Sequence, residues 1–242
     1  MGVQSLPTPF PGSHLYVPND GKPHPAIVLL HGSEGGDAGF SDAEAIALAQ
    51  KGFATLAFDY VGKSAGLPKE LANVEITRAS DAARWLKDVP EVAGKKVGLF
   101  GASRGAEQAL LLASLQQDTS TFAAVAAHAP HATVVGSFNH KTGGPVLDKA
   151  GAEQPAWLVD GKPINSGAIA IENFAGPVFL SQGTKDEVWD VGQTKTLARR
   201  LERAGKKPEV HLYPGEHHAL GFGAERKNED ALASFFHHAL GD

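Results

Sequence analysis

Short apolar runs alternate with segments of helical periodicity along most of the 242-residue chain, and that rhythm leaves few folds open to it. Ala26 to Leu30, Phe53 to Phe58, Val97 to Phe100, Ala123 to Ala127, Val178 to Ser181 and Val210 to Tyr213 suit strands, most of them buried on both faces. Asp42 to Lys51, Thr77 to Lys87, Arg104 to Gln116, Gln193 to Ala204 and Glu229 to Leu240 read as helices. Leu197, Leu201 and Ala204 form an apolar stripe on one of these, and Leu232, Phe235 and Phe236 on another. The alternation predicts an α/β fold: a mostly parallel, twisted sheet with helices on both faces, to which Ser13 to Val17 adds an antiparallel edge.

No internal repeat or linker marks a second unit, so residues 1–242 are expected to form a single domain. His131 to Glu172 breaks the rhythm, with Gly, Pro, Asn and Lys in place of any periodicity and a length well beyond the usual connection. Residues 131–172 are therefore expected to be a lid or insertion. They follow the strand after a candidate nucleophile and precede the strand leading to a candidate acid.

That nucleophile lies in KVGLFGASRGAEQALLLAS, which ends at Ser114. A buried strand, a tight turn and a helix apolar on nearly every side put Ser103 where its hydroxyl must stand clear of the backbone. Gly101 and Gly105 flank it, as needed if the serine is strained and helix and strand pass too closely for a Cβ. A second GxSxG match, GKSAG at Gly62 to Gly66, runs into Pro68 and is read as a surface loop. It also ends like a phosphate-binding loop, but Ala57 stands where the earlier glycine is required.

A serine hydroxyl is a poor nucleophile until a base takes its proton, so Ser103 predicts a carboxylate and then a histidine further along. After the strand PVFLSQG comes TKDEVWD, with Asp186 at the carboxyl end of the strand and Glu187 and Asp190 as competitors. Asp190 reads better as a cap for the next helix. After the following strand comes YPGEHH, which offers His217 and His218. Backbone N–H groups of Arg104 and of Ser33 or Glu34, in HGSEGG, are the expected donors to a tetrahedral oxyanion. Trp189 and His128 are expected to line the substrate pocket. His128 and His131 lack a third ligand, so no metal is expected, and no cofactor.

The chain has no cysteine, which excludes disulfides, thiolate metal sites and cysteine nucleophiles. A net charge of −5 without a basic block gives no reason to expect nucleic acid as a partner. No apolar stretch approaches the roughly 20 residues that cross a bilayer, so no membrane insertion is expected. MGVQSLPTPFPGS lacks the basic start and apolar core of a secretory signal, and cytoplasmic residence is the expectation. The sequence makes no prediction of oligomeric state.

Together these segments resemble the α/β-hydrolase superfamily, and within it the domain shared by acyl-CoA thioesterases and bile acid-CoA:amino acid N-acyltransferases, over roughly Pro25 to Phe236. The resemblance rests on LLHGSEGG, AQKGFATLAFDYVG followed by LPKEL, VPEVAGKKVGLFGASRGAEQALLLAS, GPVFLSQGTKDEVW and KKPEVHLYPGEHH. It implies that the acid of GxxDxxW is Asp186 and that the base, the last histidine of a YPGxGH-like segment, is His218. Residue 217, usually glycine in that pattern, is histidine here. Mammalian-type members carry a β-sandwich domain ahead of the hydrolase domain, and their amino-acid-conjugating forms use cysteine. Serine therefore implies water as the acceptor, and a serine hydrolase acting on small-molecule carboxylic esters or acyl thioesters. Acyl-CoA is among the candidate substrates, with Lys63, Lys69 and Arg104 as cations for its phosphates. Dienelactone hydrolases share the sheet and the late histidine but typically use cysteine. The rival readings are a peptidase or amidase with the same three residues, an acyltransferase, and a binding protein that keeps only the pocket.

Overall fold

The computed structural model describes residues 2–241. Its main sheet has eight strands: β1 (Val3–Leu6), β2 (His14–Pro18), β3 (His24–Leu30), β4 (Ala54–Phe58), β6 (Val92–Ala102), β7 (Ala124–His128), β10 (Val178–Gly183) and β11 (Glu209–Tyr213). Their spatial order is β1-β2-β4-β3-β6-β7-β10-β11, parallel from β4 to β11 with β1 and β2 joined antiparallel at one end. The central strands are the unbroken apolar runs of the sequence because both of their faces are covered.

Five helices supply the cover: α1 (Phe40–Gln50), α2 (Arg78–Leu86), α3 (Arg104–Gln116), α4 (Gly192–Arg203) and α5 (Phe222–Leu240). Ile27, Leu29, Phe100 and Phe179 point from alternate strand positions to one face, where they meet Leu48 of α1 and Leu232 and Phe236 of α5. Val28, Leu99, Val125 and Leu180 point the other way, onto α2, α3 and α4. Each such Leu, Ile or Phe, fully buried, contributes about 1.5–3 kcal/mol.

Besides β6, which begins at Val92 rather than Val97, two further assignments depart from the sequence reading. The segment around Ser13 to Val17 is antiparallel but is not the edge, because β1 pairs along it from Val3 to Leu6. Helix α5 starts at Phe222 rather than Glu229. Its first two turns bury only Ala224 and Asn228, so they carry no apolar stripe to read.

Residues 131–172 do not run free. They contain β8 (Trp157–Val159) and β9 (Lys162–Pro163), which form a small sheet with β5 (Val74–Glu75). Trp157 is fully buried in the core on the α2–α4 face. Arg104 and Glu107, in the first turn of α3, hold the strap. The Glu107 carboxylate accepts from Val135 N–H and Trp157 Nε1, each at 2.8 Å, and Arg104 Nη2 donates to the carbonyls of Val135 and Gly136. Arg104 and Glu107 pair at 2.9 Å.

Candidate active site

Ser103 joins β6 to α3 with φ 54° and ψ −115°, a left-handed conformation that L-residues rarely adopt. The two flanking glycines make it possible. A Cβ on Gly101 would fall 2.1 Å from the carbonyl oxygen of Gly105, and one on Gly105 would fall 2.3 Å from that of Leu30. The backbone is tied by Ser103 N–H donating to His128 O at 2.9 Å.

The loops after β10 and β11 meet at this turn. Ser103 Oγ lies 3.0 Å from His218 Nε2, and His218 Nδ1 lies 2.9 Å from both carboxylate oxygens of Asp186. Asp186 also accepts from the N–H groups of Val188 and Trp189 and from Gln182 Nε2. Burial pushes its pKa up, but those hydrogen bonds and the one from His218 outweigh it and hold the carboxyl below its usual range. The group is anionic, and the imidazole presents Nε2 to the serine.

His217 turns away. Its Nδ1 meets Glu187 at 3.0 Å in an exposed pair, and Glu187 also accepts from the His218 N–H. Asp190, just ahead of α4, accepts from the N–H of Gly192, but the N-cap of that helix is Val191 rather than the Asp190 expected. His128 lines the cavity beside Ser103. Burial lowers its pKa to about 4, so the ring is neutral; Nε2–H donates to the His218 carbonyl, which leaves Nδ1 to accept from Ser181. The ring thus props the loop that carries His218.

A cavity of about 580 Å³ opens at Ser103, within the usual range for small-molecule sites. Ser33 and Glu34 line it, and Arg104, as the first residue of α3, has an N–H in the helix turn that lacks internal acceptors. His31, not singled out in the sequence, fixes the Ser33 loop. It stacks on Tyr60 at 3.9 Å between centroids, donates from Nδ1 to Gly32 O and accepts the Tyr60 N–H at Nε2. Burial lowers its pKa to about 4 as well.

Several expectations need correction. Trp189 is not on the cavity wall: its ring lies 4.9 Å from His131, behind the Asp186 loop, and its neighbour Val188 lines the cavity instead. Side chains adjacent in a loop point to different sides. The Arg104 guanidinium is buried against Glu107 and cannot serve a phosphate. Lys63, Lys69 and His131 do not line the cavity either, and neither does any residue of 131–172, which packs across the opposite face of the sheet.

The sequence model of the prolyl oligopeptidase family matches residues 38–242. The chain is 29% identical over 222 residues to the peroxisomal succinyl-coenzyme A thioesterase of Mus musculus, and 29% identical over 223 residues to acyl-coenzyme A thioesterase 1 of Homo sapiens. Each alignment covers 85% of this chain and 51% of the relative, so the chain spans about half the length of the curated relatives it matches. Among solved structures, a dienelactone hydrolase from Anabaena variabilis aligns with a TM-score of 0.63 and 17% identity. That alignment covers 99% of this chain and 100% of that one, a likeness of fold.

Proposed function

The chain belongs to the prolyl oligopeptidase family, within the α/β-hydrolase superfamily, and from that premise we propose that it is a serine hydrolase cleaving small-molecule carboxylic esters or acyl thioesters. One observation carries the reading: the continuous contact from Asp186 through His218 to Ser103 Oγ. In the proposed reaction Ser103 Oγ adds to the acyl carbon as His218 Nε2 takes its proton, and Asp186 holds the tautomer and stabilises the imidazolium. The carbon–oxygen or carbon–sulfur bond then breaks, and the leaving alcohol or thiol receives that proton. Water next adds to the acyl-enzyme, giving a proton to His218, and the carboxylic acid departs as Ser103 Oγ recovers it. Backbone N–H groups of Arg104 and of Ser33 or Glu34 stabilise the oxyanion in both halves.

The thioesterase relatives support an acyl substrate, and His31 and His128, whose ring nitrogens are taken up by other partners, leave His218 as the base. The family match favours one second reading, amide or peptide cleavage by the same residues. Turnover of p-nitrophenyl esters, acyl-CoA and aminoacyl amides under one set of conditions separates the two. Ester or thioester turnover that exceeds amide turnover and disappears in Ser103→Ala supports the first, and undiminished turnover in that variant refutes both. The same proposal takes residues 1–242 as one hydrolase domain with 131–172 as an insertion, resident in the cytoplasm.

A further inference from the structure

Where α1 and α5 come together, the cavity that opens at Ser103 is bounded by three carboxyl groups. Glu44 comes from α1, Glu225 and Glu229 from successive turns of α5, and one oxygen of each lies within 4.8 Å of the other two. Glu225 and Glu229, four residues apart, share a helix face. Glu44 Oε1 is closed off from solvent with no hydrogen-bond partner, a costly state for a carboxyl oxygen. Burial first and the negative charge of its neighbours second push Glu44 well above the usual carboxylate range and raise Glu225; burial also raises Glu229, against the pull of Lys51.

A hydrogen bond between Glu44 and Glu225 and the charges of Lys51 and Arg226 relieve the cluster only in part. Among its lining residues there is no Lys or Arg; Glu34 adds a fourth carboxylate, and the buried His31 and His128 are neutral. The nearby Lys51 is paired with Asp230, and Arg226 lies 5.8 Å from the Phe222 ring. The remaining walls are largely apolar, with Leu29, Phe40, Phe100, Val188 and Leu220. Carboxyls raised in a low-dielectric cleft hold protons while it is empty and give them up to a ligand that brings the opposite charge. Three carboxylates completed by waters also suit a divalent metal ion, but only an alkylammonium presents both N–H donors to the carboxylates and methylenes to the apolar walls.

We infer that the cavity selects substrates with an ammonium group, which docks among Glu44, Glu225 and Glu229 while the scissile carbonyl faces Ser103. The inference deepens the hydrolase reading and rests on it for the chemistry, but not for the binding. It also places the polyphosphate of coenzyme A, where that is the leaving group, outside this cavity.

The test compares kcat/KM for the p-nitrophenyl esters of 6-aminohexanoic, heptanoic and pimelic acids, all in EDTA. The ammonium ester is expected to exceed the neutral one by at least about tenfold, with the anionic ester lowest. In Glu225→Gln/Glu229→Gln the ratio of the first two should fall toward one. A ratio near one in the wild-type enzyme, a preference for the pimeloyl ester, or selectivity that appears only when a divalent cation is added overturns the inference. Calorimetry on Ser103→Ala protein needs no turnover: hexylammonium binding tighter than 1-hexanol supports the inference even where no ester is cleaved, and equal binding overturns it while leaving the serine chemistry standing.

Discussion

Ser103 occupies backbone space that costs about 1–3 kcal/mol, and the turn around it compensates through close strand–helix packing that only glycine allows. Gly105→Ala must push the helix off the Leu30 carbonyl, and urea unfolding should show a loss of about 3 kcal/mol. Within the relay, Asp186→Asn keeps the shape of the side chain but disturbs the tautomer of His218, and kcat for an ester should fall by about 10⁴-fold. His217→Ala removes only an exposed pair with Glu187, so kcat in the same assay should stay within about threefold of wild type. The choice between the two histidines was legible only through family pattern. Nothing in the dipeptide itself says which ring turns inward; that depends on His128 holding the His218 carbonyl from a strand 90 residues away.

At the level of elements, the sequence revealed what local chemistry decides. The central strands are continuous apolar runs because they are covered on both sides, and α3 is apolar nearly all round because it is buried nearly all round. Strand β1 is short with no buried residue, the small sheet has strands of two or three residues, and α5 opens with turns that bury little; none of these leaves a periodic mark. The Arg104–Glu107 pair that holds the 131–172 strap was equally hidden, since two charges in a helix's first turn ordinarily face water. Arg104→Met leaves the Glu107 carboxylate buried without its partner, and chemical denaturation should show a loss of about 3–5 kcal/mol. Arg104→Met with Glu107→Gln, which leaves no stranded charge, should recover part of it.

Across the whole molecule, the two faces of the sheet divide the work. One carries α2, α3, α4 and the strap; the other carries α1 and α5 and the floor of the cavity, so residues near 44 and 225 meet although nothing in the sequence links them. Among the described residues no helix is long and apolar enough to cross a membrane. The two buried histidines give the fold an acid sensitivity. Both are held near pKa 4 against an ordinary 6.5, so the unfolded chain takes up protons that the native state refuses; their contribution is complete above pH 6.5 and lost as pH falls toward 4. The stability gap between wild type and His31→Gln/His128→Gln, measured by urea unfolding, should therefore narrow from pH 7 to pH 4.5. The central claim is that Ser103 is the activated nucleophile, and reaction with a fluorophosphonate followed by peptide mass spectrometry tests it most directly. One equivalent should attach to Ser103 with parallel loss of ester turnover; a protein that stays unlabelled at Ser103, or stays fully active once labelled there, would contradict it.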